Sequence, residues 1–297
     1  MTDTILLAGA TGMLGSRIAH HLLALPKARV RMLVRGSVSK TEVLKPLVDS
    51  GAELIEGDLN DAASLDRATR GVDVIVSSVQ GGPEVILDGQ VALAKAGKAN
   101  GVRRMLPSDY ALDLFKATPG EHAMFDMRAQ ADAQIAEIGL EQVNILQGAF
   151  MDMFLPGHGA IDADAGTISF FGDGELPIEV TSVEDTARMI ARVALDRDVK
   201  PGKFAFAGER ISFRQAGEIV ARITDRPIRP MSMGSETDLR AAMANASSEK
   251  KVMLAYLLYM TNGQTALTDL QNDRYPDLRF ERFADFIARS LPIAAHA

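Results

Sequence analysis

Gly9, Gly12 and Gly15, in Gly9-Ala10-Thr11-Gly12-Met13-Leu14-Gly15, are the residues whose type and spacing point most directly to chemistry. With 25 glycines in 297 residues, such a triplet arises by chance in about one chain in six, so spacing alone decides little. The setting decides more. The triplet directly follows the apolar run Ile5-Leu6-Leu7-Ala8 and opens a helical pattern from Ser16 to Leu25. Between a strand and a helix, glycines permit a tight turn and close backbone approach, and the helix N-terminus offers N–H groups to a pyrophosphate. The plainer reading is an ordinary strand–turn–helix; the surrounding βαβ rhythm favours a dinucleotide loop.

The end of the second strand addresses which dinucleotide. An NAD site usually places an acid there for the ribose 2′-OH. Here the strand ends Val34-Arg35-Gly36-Ser37, and no acid occurs before Glu42. Arg35 can pair with a 2′-phosphate and stack on adenine, with Ser37 and Lys40 assisting. NADP(H) is the expected cofactor; the alternative for Arg35 is a solvated surface arginine. Two further strand ends open on the same crevice. Asp58 and Leu59 follow the third strand, where an aspartate can accept from the adenine amino group. Ser77, Val79 and Gln80 follow the fourth, where they can line the ribose and nicotinamide. Each is also compatible with simple turn chemistry.

The elements that must position these groups alternate. Strands are expected over 5–8, 30–34, 52–56, 72–76, from 104 and over 143–146, with helices between them, the longest over 83–100. Short strands alternating with helices imply an α/β fold: a Rossmann-like parallel sheet with helices on both faces. Thr118-Pro119-Gly120-Glu121 reads as a capping box with Pro119 at the first helical position, and Gly139 as the far cap. Beyond Phe150 the rhythm breaks, with 157–176 as loop and one hairpin at most. Residues 1–150 form the expected cofactor domain, with 178–207 returning to its sheet as one more helix–strand unit. Residues 151–177 and 208–297 form a smaller, mainly helical substrate lobe.

Composition closes off other classes. The absence of cysteine excludes disulfides, zinc–thiolate sites, iron–sulfur clusters and a cysteine nucleophile. A net charge of −7, aromatic content of 5% and no tryptophan argue against a nucleic-acid partner. Asp162, Asp164 and Asp173 lack ligand spacing, so no metal is expected. No apolar run is long enough to span a membrane and no signal peptide is read, so the expected location is cytoplasmic.

The segments GATGMLG, LVRGS, IEGDLNDAASLDRATRGVDVIVS and GVRRMLPSDY together resemble the NmrA-like proteins. These are atypical short-chain dehydrogenase/reductases that include the isoflavone and phenylcoumaran benzylic ether reductases. The resemblance covers most of 1–155, and more loosely TSVEDTARMIARVAL and FAFAGE. It implies a Rossmann-like domain, an NADP(H) cofactor and a C-terminal substrate lobe. By position, Gly9, Thr11, Gly12, Met13, Leu14, Gly15 and Arg35 match the cofactor loop and 2′-phosphate site. Ser77, Val79, Ser108 and Phe150 match positions lining the cleft. The superfamily's Tyr-x-x-x-Lys falls on Met124-Phe125-Asp126-Met127-Arg128, so both reactive residues are replaced. Tyr110 does not restore the motif, since Leu114 stands four residues on.

Within the helix, Met124, Met127, Ala131, Ile135 and Ile138 share an apolar face, and at about 100° per residue Arg128 sits on its edge. His122 falls on the opposite side, which demotes it as a catalytic histidine. A guanidinium beside an apolar face needs a partner, either the nicotinamide ribose or a structural carboxylate. Arg128 and Ser108 are the catalytic candidates. Tyr110, Met124, Met151 and Phe154 are the substrate-side candidates, and for the methionines the alternative is core packing. The function expected is NADP(H)-dependent reduction of a small apolar, aromatic or quinone-like substrate. The alternative is a non-catalytic sensor of the NADP(H) state that contacts a protein partner.

Overall fold

In the computed structural model, residues 2–36, 41–155, 157, 159–162 and 164–291 are described. Ser37 and Lys40, expected beside the 2′-phosphate, lie outside them. The first half runs β1 (Asp3–Ala8), α1 (Met13–Leu23), β2 (Ala28–Val34), α2 (Thr41–Asp49), β3 (Glu53–Glu56), α3 (Ala62–Thr69), β4 (Val74–Ser77), α4 (Pro83–Ile86), α5 (Asp88–Ala99), β5 (Arg104–Leu106), α6 (Ala123–Ile138) and β6 (Glu141–Leu146). The second runs β7 (Ala149–Phe150), β8 (Ile161–Asp162), β9 (Thr167–Phe170), β10 (Ile178–Thr181), α7 (Val183–Leu195), β11 (Gly202–Ala205), β12 (Glu209–Ile211), α8 (Phe213–Thr224), β13 (Arg229–Ser232), α9 (Glu236–Ala244), α10 (Ser248–Asn262) and α11 (Phe283–Ser290).

Seven strands form one sheet in the order β11-β6-β5-β4-β1-β2-β3. The pairings from β3 through β6 are parallel. Side chains alternate between faces along each strand, and both sets are buried here: Leu6 and Ala8 on one side of β1, Ile5 and Leu7 on the other. The first set packs with Leu65 of α3, Leu93 of α5 and Ile135 of α6. Helical cover of both faces is what near-continuous apolar strands require. The strand order reverses between β1 and β4, and ligands of open α/β sheets bind outside the carboxyl ends of the strands at such a point.

At the opposite end of the strands, Arg104 is almost wholly buried. Its guanidinium donates to the carbonyls of Val193 (3.3 Å), Asp196 (2.6 Å) and Val199 (2.7 Å) and pairs with Glu141 (3.0 Å). One side chain thereby satisfies three carbonyls at and beyond the C-terminal end of α7.

The chain divides into two compact units. The first holds 1–110, 127–145 and 186–204; the second holds 111–126, 146–185 and 205–297. The helix and strand expected over 182–207 are α7 and β11, and β11 lies at the edge of the large sheet. Residues 178–181 do not return to it. As β10 they pair with β7 and β12 in a separate three-stranded sheet, because β12 offers an antiparallel partner from Glu209 to Ile211. The hairpin expected in 157–176 is β8–β9, with β13 added alongside.

The helix entry at 118 also differs from expectation. Gly120 takes φ +86°, a left-handed turn that only glycine adopts at no cost, and α6 begins at Ala123. The cap is His122: its Nδ1 accepts from the Phe125 N–H at 3.2 Å while its ring stacks on Phe125. His122 is fully buried, consistent with its demotion as a catalytic group.

Candidate functional site

The glycine loop divides into residues the protein itself requires and one it does not. Gly9 has φ +88°, and a Cβ there would lie 2.1 Å from the Ser78 carbonyl oxygen, where the ends of β1 and β4 converge. A Cβ on Gly15 would lie 2.1 Å from the Gly9 oxygen, so Gly15 allows α1 to seat against the turn. Gly12 is different. Its φ is −80°, which any residue adopts, and a Cβ would meet only the Gly9 oxygen at 3.3 Å. Among the described residues that single contact, tight enough to ask for a shift of a few tenths of an ångström, is all that opposes a side chain at the N-cap of α1. The cap makes no side-chain hydrogen bond, and the first turn of α1 carries no acid. A bare, positively polarised helix start with no side chain over it fits an anionic group such as a pyrophosphate.

Arg35 is exposed at the end of β2, where Gly36 turns with φ +56°. Thr11 and Met13 flank Gly12, Met13 exposed and Leu14 buried beneath it. Asp58 is half-buried; its Oδ1 accepts from the Asn60 N–H at 2.9 Å, closing a turn of its own. Leu59 packs toward α5, where Gly89 leaves it room. Beyond β4, Ser77 is buried with its Oγ unbonded, Val79 is half-buried and Gln80 is exposed.

The segment after β5 is tightly fixed. Buried Gln90 accepts from the Ser108 N–H at 2.9 Å, and Ser108 Oγ donates to the Val79 carbonyl at 2.7 Å. The Tyr110 hydroxyl donates to the Ser77 carbonyl at 2.7 Å. Burial, and then the Asp109 charge, push that phenol far above its ordinary value. Neither hydroxyl proton is available to a ligand in this arrangement. The structure assigns both residues to joining the ends of β4 and β5.

Behind this segment lies a polar cluster that includes Arg128, the one member expected from the sequence. Asp109 is fully buried and accepts from Asn144 Nδ2 at 2.8 Å. Asp132, one helical turn after Arg128 in α6, is buried and accepts from Gln142 Nε2 at 2.9 Å. The two carboxyls act electrostatically on each other, and Arg128 acts on both. Burial raises both carboxyls above the usual carboxylate range. Asp132 rises further because the Asp109 charge adds to its burial. Arg128 is half-buried, and its Nε and Nη1 are buried with no acceptor among the described residues.

The remaining candidates belong to the second unit. Phe150 is half-buried in β7 and Met124 half-buried in α6. Met151 and Phe154, expected to face substrate, have no exposed surface. Phe154 packs against Phe213 (5.6 Å between ring centres) and Phe283 (5.1 Å), so aromatic partners far along the chain turn it into core. Among the described residues no cluster of metal-ligating side chains occurs, and no helix is long and apolar enough to cross a membrane.

This sheet order, with a glycine turn at its reversal point, defines a Rossmann-type α/β protein. The NmrA-like family model matches residues 1–264, and the chain belongs to that family. It is 23% identical over 309 residues to a bifunctional pinoresinol-lariciresinol reductase of Linum usitatissimum, covering 95% of this chain and 97% of that protein. It is 30% identical over 190 residues to the phenylcoumaran benzylic ether reductase IRL1 of Ginkgo biloba, 61% of each chain. Among solved structures, the binary complex of leucoanthocyanidin reductase with NADPH from Vitis vinifera superposes with a TM-score of 0.85 at 22% identity, covering 97% of this chain and 99% of that one. An isoflavone reductase superposes with a TM-score of 0.87 at 19% identity, covering 98% and 100%. These likenesses are of fold.

Proposed function

We propose that the protein is an NADP(H)-dependent reductase of a small apolar compound, aromatic or quinone-like. The observation that carries this reading is Gly12: a glycine with an ordinary φ, whose Cβ would meet a single atom among the described residues, set at an uncapped helix start. The N–H groups at the start of α1, around Gly12, Met13 and Leu14, would hold the pyrophosphate. Arg35 would hold the 2′-phosphate, and the chain from Ser77 to Gln80 would border the ribose and nicotinamide. When bound, NADPH supplies a hydride. The relatives named as reductases, one solved with NADPH, support the same reading.

The protein's own contribution centres on Arg128. A guanidinium stays protonated at neutral pH, so it holds charge rather than donating a proton. Its half-buried guanidinium, with two nitrogens unbonded, is suited to a ribose hydroxyl or to an oxygen gaining negative charge. With the Ser108 and Tyr110 hydroxyls engaged, a substrate whose reduction leaves a stabilised oxyanion, protonated afterwards from water, suits the site better than one needing an acid in place. Quinones and conjugated ketones have that property. The second reading is a sensor that binds NADP(H) without turning it over; Met124 and Arg128 at the usual tyrosine and lysine positions favour it. Consumption of NADPH measured against quinones, ketones and aryl ethers separates the two. Turnover with quinones or conjugated ketones is expected, and binding without consumption across the panel supports the sensor.

A further inference from the structure

The buried carboxyls of Asp109 and Asp132 serve no purpose in a reading based on Arg128 alone. Each has one oxygen satisfied by an amide, Asn144 for Asp109 and Gln142 for Asp132. The other oxygens, Asp109 Oδ1 and Asp132 Oδ2, are buried and meet no nitrogen or hydroxyl donor. Two carboxylates could not relieve this for each other; a carboxylic acid donating to a carboxylate would satisfy both orphaned oxygens with one shared proton. Two full charges buried side by side would also be strongly disfavoured beside a single cation.

We propose that Asp109 and Asp132 hold one proton between them, and that this singly charged pair is the counter-ion that positions Arg128. The pair carries one negative charge against the single positive charge of the guanidinium. Asp132 and Arg128 stand four apart on one face of α6, and Asp109 comes from the segment after β5. Asn144 and Gln142 of β6 hold the pair from below without adding charge. Tyr110 also feels the Asp109 charge and stays neutral with its hydroxyl on the Ser77 carbonyl. In this arrangement the diacid is a positioning element: it acts on the guanidinium through charge and leaves Nε and Nη1 unbonded.

Protonation of the pair is expected to govern stability with a definite sign. The folded protein binds the shared proton more tightly than the unfolded chain does, since burial raises the pair above ordinary aspartate values. Stability from this source therefore falls as pH rises from the ordinary aspartate range through the pair's own upper titration. Asp132→Asn imitates the protonated acid, because its amide can donate to Asp109 Oδ1. It removes that pH dependence.

Two measurements test the proposal, the first needing no cofactor. Infrared or carbon-13 NMR spectra of the full chain, with aspartate carboxyls labelled, should show one protonated buried acid at pH 7 that disappears in Asp132→Asn. In thermal melts, Asp132→Asn should gain on the parent as pH rises from 5 to 9. Only ionised aspartates in the parent, or melting curves that stay parallel, would overturn the proposal. The second measurement rests on the assignment of Arg128 to the cofactor site. NADPH affinity of the parent should fall about tenfold between pH 7 and pH 10, as a second negative charge appears beside Arg128, and Asp132→Asn should lack that fall. A spectroscopically present proton with no NADPH binding at any pH would leave the diacid standing and remove the cofactor reading. An identical alkaline fall in Asp132→Asn would contradict the positioning role.

Discussion

Gly12→Ala is expected to leave the fold intact and to weaken NADPH binding about a hundredfold, or ~2.7 kcal/mol. The backbone at Gly12 is extended with φ −80°, which alanine adopts, and its Cβ would lie 3.3 Å from the Gly9 oxygen, a tight contact that a shift of a few tenths of an ångström relieves. That methyl group would then occupy the space into which a pyrophosphate must come. Gly15→Ala should do the reverse. Its Cβ would lie 2.1 Å from the Gly9 oxygen and 2.8 Å from the Gly9 carbonyl carbon, forcing α1 away from the turn. Overpacking of this kind costs about 3 kcal/mol or more, and the loss should appear in a melt with no ligand present. Melting curves and calorimetry on the two variants check the pair of outcomes. Unchanged NADPH affinity in Gly12→Ala would remove the observation on which the functional reading rests.

Arg128→Ala is expected to weaken NADPH binding by about 1–3 kcal/mol, the scale of a charged hydrogen bond left unmade. The substitution also leaves the Asp109–Asp132 pair without its cation. The variant should therefore lose stability, most of all at alkaline pH, where both carboxyls ionise. Arg128→Lys should restore part of both losses, since an ammonium keeps the charge and gives up the planar fork. Steady-state kinetics and melts across pH measure the two effects separately. If Arg128→Ala keeps full NADPH affinity and turnover while losing only stability, Arg128 is a structural residue, and the sensor reading gains.

The parallel sheet and the glycine turn were legible because both are written locally. Apolar strands of four to seven residues alternate with amphipathic helices, and Gly9 follows the first strand without a gap. Asp132 was not legible in the same way. On a helical wheel it lies beyond the edge of the apolar face, where an aspartate is ordinarily solvated. Its burial comes from Gln142 of β6 and from Asp109, neither local to it. The same cause misplaced Met151 and Phe154. A Met-Asp-Met-Phe run beside a strand end suits a pocket, yet Met151 is buried and Phe213 and Phe283 arrive from much later in the chain to pack on Phe154. At 118–122 the local signal itself misled. Thr-Pro-Gly-Glu has the letters of a capping box, yet Gly120 turns left-handed and His122 caps instead. The direction of 178–181 depended on β12, a partner some 30 residues away, and pairing at that range leaves no trace in periodicity.

What the ends of β1, β2 and β4 bind is measured directly by calorimetric titration of the full chain with NADPH and with NADH. Arg35 stands at the end of β2, where no acid is present to receive a ribose hydroxyl. NADPH should therefore bind at least about tenfold more tightly than NADH, or ~1.4 kcal/mol. Arg35→Asp should erase or reverse the difference, because a carboxylate repels the 2′-phosphate and accepts from the 2′-hydroxyl. Equal affinity for the two cofactors in the parent protein, or binding of neither, would contradict the NADP(H) reading.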